Sequence, residues 1–142
     1  MPELATDSPE ALAQVVILAI VADTELDARE IAILDELDAY ARLGTTRDAF
    51  LHQARAHAER TRLGERGYLR MSDIAQIDAA LEAVREPAKR LLACRLAASV
   101  ITADGRVHDV ERLVFDHMLC RWGLTRSMVS RAILADRKPA TA

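Results

Sequence analysis

Apolar residues recur at helical spacing along almost the whole chain. Leu12, Val15, Val16, Ala19 and Ile20 form one stripe, and Ile17, Leu18 and Val21 fill the remaining sides. A helix apolar nearly all round belongs at the centre of a bundle. Leu91, Leu92, Cys94, Leu96, Val100 and Ile101 predict a second central helix. Other stripes are one-sided: Phe50, Ala54 and Ala58, then Ile74, Ile77, Leu81 and Val84. The punctuation agrees with this reading. Ser8-Pro9-Glu10 caps and opens the first helix, and a second is expected from Ala28 to Leu43, stopped by Gly44. Thr46 caps a third to about Leu63, Ser72 a fourth, and Pro87 opens the fifth after Glu86. A sixth runs from Asp109 to Trp122, ended by Gly123, and Thr125 caps a last one to about Ala135. The expectation is an all-α, compact seven-helix single domain over residues 1–142, with a core of about 9–135 and frayed ends at 1–7 and 137–142.

One stretch occurs twice. Ile20-Val21-Ala22-Asp23-Thr24-Glu25-Leu26-Asp27-Ala28-Arg29-Glu30 is matched 81 residues later by Ile101-Thr102-Ala103-Asp104-Gly105-Arg106-Val107-His108-Asp109-Val110-Glu111. The correspondence continues as Leu34 with Phe115, Asp35 with Asp116 and Leu37 with Met118. Each copy reads as a helix end, an acidic turn and a helix start. Two copies predict two pseudo-repeated helix-turn-helix hairpins in one domain; a solenoid needs three or more repeats.

Asp27-Ala28-Arg29-Glu30 has capping-box spacing, with Leu26 and Ile31 placed as a hydrophobic staple. In the second copy His108 takes the cap position and Glu111 the third helical one, while Gly105 suits a backbone of positive φ. A second chemistry fits the same residues. Asp104-Gly105-x-Val107-x-x-x-Glu111 matches the second half of an EF-hand loop, but Val100 and Thr102 stand where its first carboxylates belong. A full EF-hand is excluded. A lone turn of this kind would hold calcium no better than about millimolar. The candidate metal ligands are therefore Asp23, Asp27, Glu30, Asp104, His108 and Glu111, acting together if the two turns meet; the plain alternative is helix capping alone. Asp35 and Asp116 lie five residues past each Glu, about 140° beyond one turn, and are expected to pair with arginines.

Composition narrows the classes. The 142 residues carry 19 basic and 22 acidic side chains, a formal charge of −3, and 4% aromatics. Neither a basic nor a stacking surface for nucleic acid follows from that. The longest apolar run, Val15 to Ala22, is too short to span a bilayer. The opening Met-Pro-Glu-Leu has no signal-peptide pattern, and Cys94 and Cys120 read as reduced core thiols, so a cytoplasmic protein is expected.

Ala103-Asp104-Gly105-x-Val107-x-x-x-Glu111, with the degenerate copy Ala22-Asp23-x-x-Leu26-x-x-x-Glu30, resembles the tellurite-resistance TerB-like family, which includes the N-terminal domain of DjlA-type membrane co-chaperones. The resemblance spans about Pro9 to Ala135. It implies an all-helical domain with an acidic surface near the two turns, metal binding, and a role in stress-response complexes, often near a membrane. It does not imply an enzyme. This chain departs from the pattern at Thr24, where a glycine is expected, and at His108, where an acid is usual.

Two functions follow as expectations. The first is a non-enzymatic accessory domain whose acidic turns bind a divalent metal ion (calcium or zinc, weakly) or a basic protein partner, peripheral to a membrane if it meets one. The second is a protein–protein or homodimerisation module without metal, using apolar residues such as Met128, Ile133 and Leu134. A metal-dependent hydrolase lacks its His-x-x-x-His or Glu-x-x-His pair.

Overall fold

The computed structural model describes residues 5–21, 26–60, 69–102 and 109–137. Among them are eight helices and no strand: α1 (Pro9–Ile20), α2 (Ala28–Glu36), α3 (Ala39–Leu43), α4 (Arg47–Arg60), α5 (Met71–Glu82), α6 (Pro87–Ile101), α7 (Asp109–Trp122) and α8 (Arg126–Arg137). None of the described helices is long and apolar enough to cross a membrane.

α1 starts as its sequence requires. Ser8 is extended and its hydroxyl accepts from the backbone N–H of Ala11 at 3.1 Å, with Pro9 in the first helical turn. Every residue from Ala11 to Val21 is buried except Gln14, which is half-buried. Burying each large aliphatic side chain of this helix contributes roughly 1.5–3 kcal/mol. α6 buries Ala93, Cys94, Leu96, Ala97, Val100 and Ile101. The contact between α1 and α6 is the largest between any two helices.

The two central helices are pinned at their starts. Asp7, just before α1, accepts at Oδ1 from the backbone N–H groups of Arg85 and Glu86, just before α6. Its own N–H donates to the Ala83 carbonyl at 2.7 Å, and Lys89 Nζ donates to the Asp7 carbonyl at 2.8 Å. Two helices that begin at one clamp and lie along each other run parallel. At 1.5 Å per residue, their 12 and 15 residues extend about 18 and about 22 Å from it. Val21 and Thr102, the residues that lead into the two acidic turns, therefore leave from the same end.

The outer helices pack around this pair. α4, α5 and α7 contact α1, while α2, α7 and α8 contact α6. α7 returns to the start of α6, where the Arg90 guanidinium lies 5.6 Å from the Trp122 ring centroid. The end of α3 likewise returns to the start of α1: a methyl built on Gly44 would stand 3.2 Å from Pro9 Cγ. Gly44 (φ 85°) and Gly123 (φ 67°) close these helices in the left-handed conformation. The following N–H in each case donates five residues back, Thr45 to the Tyr40 carbonyl and Leu124 to that of Leu119. Thr46 and Thr125 then cap α4 and α8 through their hydroxyls, each at 3.1 Å.

Three local expectations need correction. The helix expected from Ala28 to Leu43 is broken at Leu37–Asp38, with Asp38 left-handed (φ 54°), which raises the helix count to eight. Five residues of straight helix would turn Ala39 about 140° away from Leu34. The break restores the phase, so Leu34, Ala39, Tyr40 and Leu43 are all buried. Ser72 does not cap α5. Arg70 holds the cap position and its N–H donates to the Asp73 carboxylate at 2.9 Å, while Ser72 lies exposed inside the helix. Cys120 is exposed and so is no core thiol; only Cys94 is buried. The buried stripe of α7 is Val110, Val114 and Met118, and two residues past Met118 is about 200° around the helix.

Candidate functional site

In sequence, the two acidic segments expected to form turns follow α1 and α6. Of the six candidate ligands, Asp23, Asp104 and His108 lie outside the described residues, as do the Thr24 and Gly105 turns. Asp27, Glu30 and Glu111 can be placed.

Asp27 and Glu30 form the predicted capping box. The Glu30 N–H donates to Asp27 Oδ1 at 2.8 Å, and the Asp27 N–H donates to Glu30 Oε1 at 3.0 Å. Leu26, just before the cap, packs on the core. One oxygen of each carboxylate is thus held by the backbone, and the negative charge faces the positive end of the α2 dipole. Glu111 occupies the same third position of α7 that Glu30 has in α2, but it is buried at 4% exposure. Among the described residues, no three His, Cys, Asp or Glu side chains converge to hold a metal ion.

Asp35 and Asp116 take the arginine partners expected of them. Arg47 Nε donates to Asp35 Oδ1 at 3.1 Å, and Arg126 Nη2 to Asp116 Oδ1 at 2.6 Å. Both arginines are the first residue of the next long helix, so each ion pair ties a helix after an acidic turn to the one that follows it. Tyr40 lies beside the first pair. Burial, then the neighbouring Asp35, push its hydroxyl up to about 12.

Two features have no counterpart in the sequence pattern. The first is a polar seam between α1 and α4. Gln53 Nε2 donates to the Glu10 carbonyl and to Gln14 Oε1, both at 3.0 Å, and Gln14 Nε2 lies 3.2 Å from Nδ1 of the buried His57. His52, five residues earlier and so about 140° around α4, is exposed. A lone glutamine in the apolar α1 run was the available signal.

The second is a groove of about 380 Å³ between α6, α7 and α8. Ala98, Ile101, Phe115, Val129 and Ile133 form its apolar surface, and Arg112 and Arg126 supply positive charge. Of the residues expected to form an apolar face, Ile133 lines this groove, while Met128 and Leu134 are 42% and 60% exposed.

No protein-family model, curated protein or solved structure matches the chain.

Proposed function

We propose that this chain is a non-enzymatic accessory domain of TerB-like architecture, built from two related halves, whose acidic turns engage a divalent cation or a basic protein surface in a stress-response complex. The observation that carries this reading is the parallel course of α1 and α6 from the Asp7 clamp, which directs the chain into both turns at one end. Ligands from two turns can then act on one cation, where a single half-loop is too poor in oxygens.

The joints between helices support the two-halves reading. Asp35–Arg47 answers Asp116–Arg126, the Gly44 helix end answers that of Gly123, and the Thr46 cap answers that of Thr125. The partners also cross over: α2 packs on α6 and α7 on α1. From Ala39 onward the halves correspond at a spacing two residues shorter than 81, as in Arg47 with Arg126, and the break at Leu37–Asp38 is where the first half carries its two extra residues. The free thiols Cys94 and Cys120 agree with a reducing, cytoplasmic setting.

Titration with calcium or zinc, followed by amide chemical shifts, tests the cation version. Leu26, Asp27, Val110 and Glu111 should shift together with one midpoint near about 1 mM for calcium. Silence at every one of them at millimolar metal removes that version. A lysine-rich peptide that also leaves them unmoved removes the basic partner.

A second reading, a protein-interaction or homodimerisation module without metal, is favoured by the exposure of Leu113, Met128 and Leu134 on α7 and α8. Sedimentation over a wide concentration range separates the two.

A further inference from the structure

We propose that the groove between α6, α7 and α8 is a small-molecule site for an amphipathic carboxylate, with its apolar tail in the groove and its head group held by Arg112. Its volume of about 380 Å³ falls at the small end of the range of ligand pockets.

Charge selects the head group. Arg126 is already neutralised by Asp116 at 2.6 Å. Arg112 is exposed and has no acidic partner among the described residues. Among the described residues no carboxylate lines the groove, and Arg112 and Arg126 give that lining a positive charge. An anion beside Arg112 gains a charge-assisted hydrogen bond, while Phe115, Val129 and Ile133 cover an apolar tail.

The groove is also specific to the second half, a point that rests on the two-halves reading above. In the first half Ile17 answers Ala98, Phe50 answers Val129 and Leu51 answers Ser130. Ile31 answers Arg112. Large apolar side chains thus stand where the second half has smaller ones, and Ile17 and Phe50 are fully buried. Ala54 against Ile133 and Leu34 against Phe115 run the other way, but they add less volume than the Ile17, Phe50 and Leu51 positions lose. The same framework is filled in one half and hollow, with an arginine added, in the other.

Decanoate and decanol, titrated separately into the full chain and followed by amide shifts, provide the test. Saturable shifts at Ala98, Phe115, Val129 and Ile133 are expected with both. Arg112→Gln should weaken decanoate about tenfold, the loss of one charge-assisted contact, and leave decanol unchanged. Ser130→Leu, which installs the first half's residue, should abolish both while far-UV circular dichroism stays native. Val129→Phe makes the same test if Ser130→Leu does not fold. The proposal is overturned if the groove amides do not saturate, if decanoate binding ignores both filling variants, or if those amides shift with protein concentration alone, which would make a second copy the occupant. These amides are distinct from Leu26 and Asp27, so failure here and failure of the cation reading are told apart.

Discussion

The carboxylate of Asp7 accepts the backbone N–H of Arg85 at 2.7 Å, across a sequence separation of 78 residues. That bond, with its partner from Glu86, brings the starts of α1 and α6 together. Antiparallel central helices would send the two acidic turns to opposite ends of the domain. The Asp7 clamp joins their starts, their mutual packing carries them on side by side, and the cation reading depends on both.

Acid should release this clamp. The N–H groups of Arg85 and then Glu86 hold the Asp7 carboxyl below its ordinary value of 3.8. A carboxyl lowered in the folded state contributes stability that is present above its unfolded pKa and lost as pH falls through the folded one. Asp7 therefore stabilises the fold above about pH 4 and loses that contribution below it. Asp7→Asn keeps a residue that tolerates the φ of 58° found there. Its urea midpoint should fall below wild type at neutral pH, and the two should converge as pH drops below 4.

The two helix-ending glycines should differ in how they tolerate a side chain. Gly44→Ala meets both a left-handed backbone and Pro9 Cγ at 3.2 Å. Gly123→Ala has the same backbone problem with nothing within 4 Å. Left-handed alanine costs about 1–2 kcal/mol, so Gly123→Ala should lose about that amount and Gly44→Ala more. Thermal unfolding of the two variants side by side ranks them.

Gln14 should matter more than a half-buried polar residue usually does. It joins Gln53 at 3.0 Å to the ring of His57 at 3.2 Å. Gln14→Leu removes both bonds and leaves polar groups of α4 facing an apolar side chain, at about 1–3 kcal/mol. Urea unfolding of the variant beside wild type measures the loss.

The two thiols should report on different events. Cys120 is exposed and should be titrated by a thiol reagent in the native protein. Cys94 is buried, and burial alone pushes its thiol up to about 12. It should react only on the timescale of unfolding. Counting modified thiols before and after adding urea gives one, then two.

Much of the architecture was legible in the chain because local rules act locally. An apolar run such as Leu12 to Val21 can be satisfied only by a central helix. Ser8, Thr46, Thr125, Gly44 and Gly123 bound helices through bonds to residues within five positions, so their neighbours in sequence suffice to read them. The Asp27–Glu30 capping box follows from its spacing, and helical phase sent Asp35 and Asp116 away from their Glu toward arginines, though which arginine took them was set by the next long helix.

What periodicity could not supply was the relation between distant elements. The kink at Asp38 exists because Leu34 and Ala39 must face one core, a demand set by what packs against them. One local reading also failed: the Asp73 carboxylate reaches the Arg70 N–H, so Arg70 and not Ser72 holds the cap. The groove beside Arg112 is empty space, and a gap has no residue of its own in the sequence. It arises where Ala98, Val129 and Ser130, contributed by two helices, are together too small to fill the volume that their framework encloses. Local hydrogen bonds and hydrophobic period therefore determined which helices form, while long-range packing decided their direction and where they fail to meet.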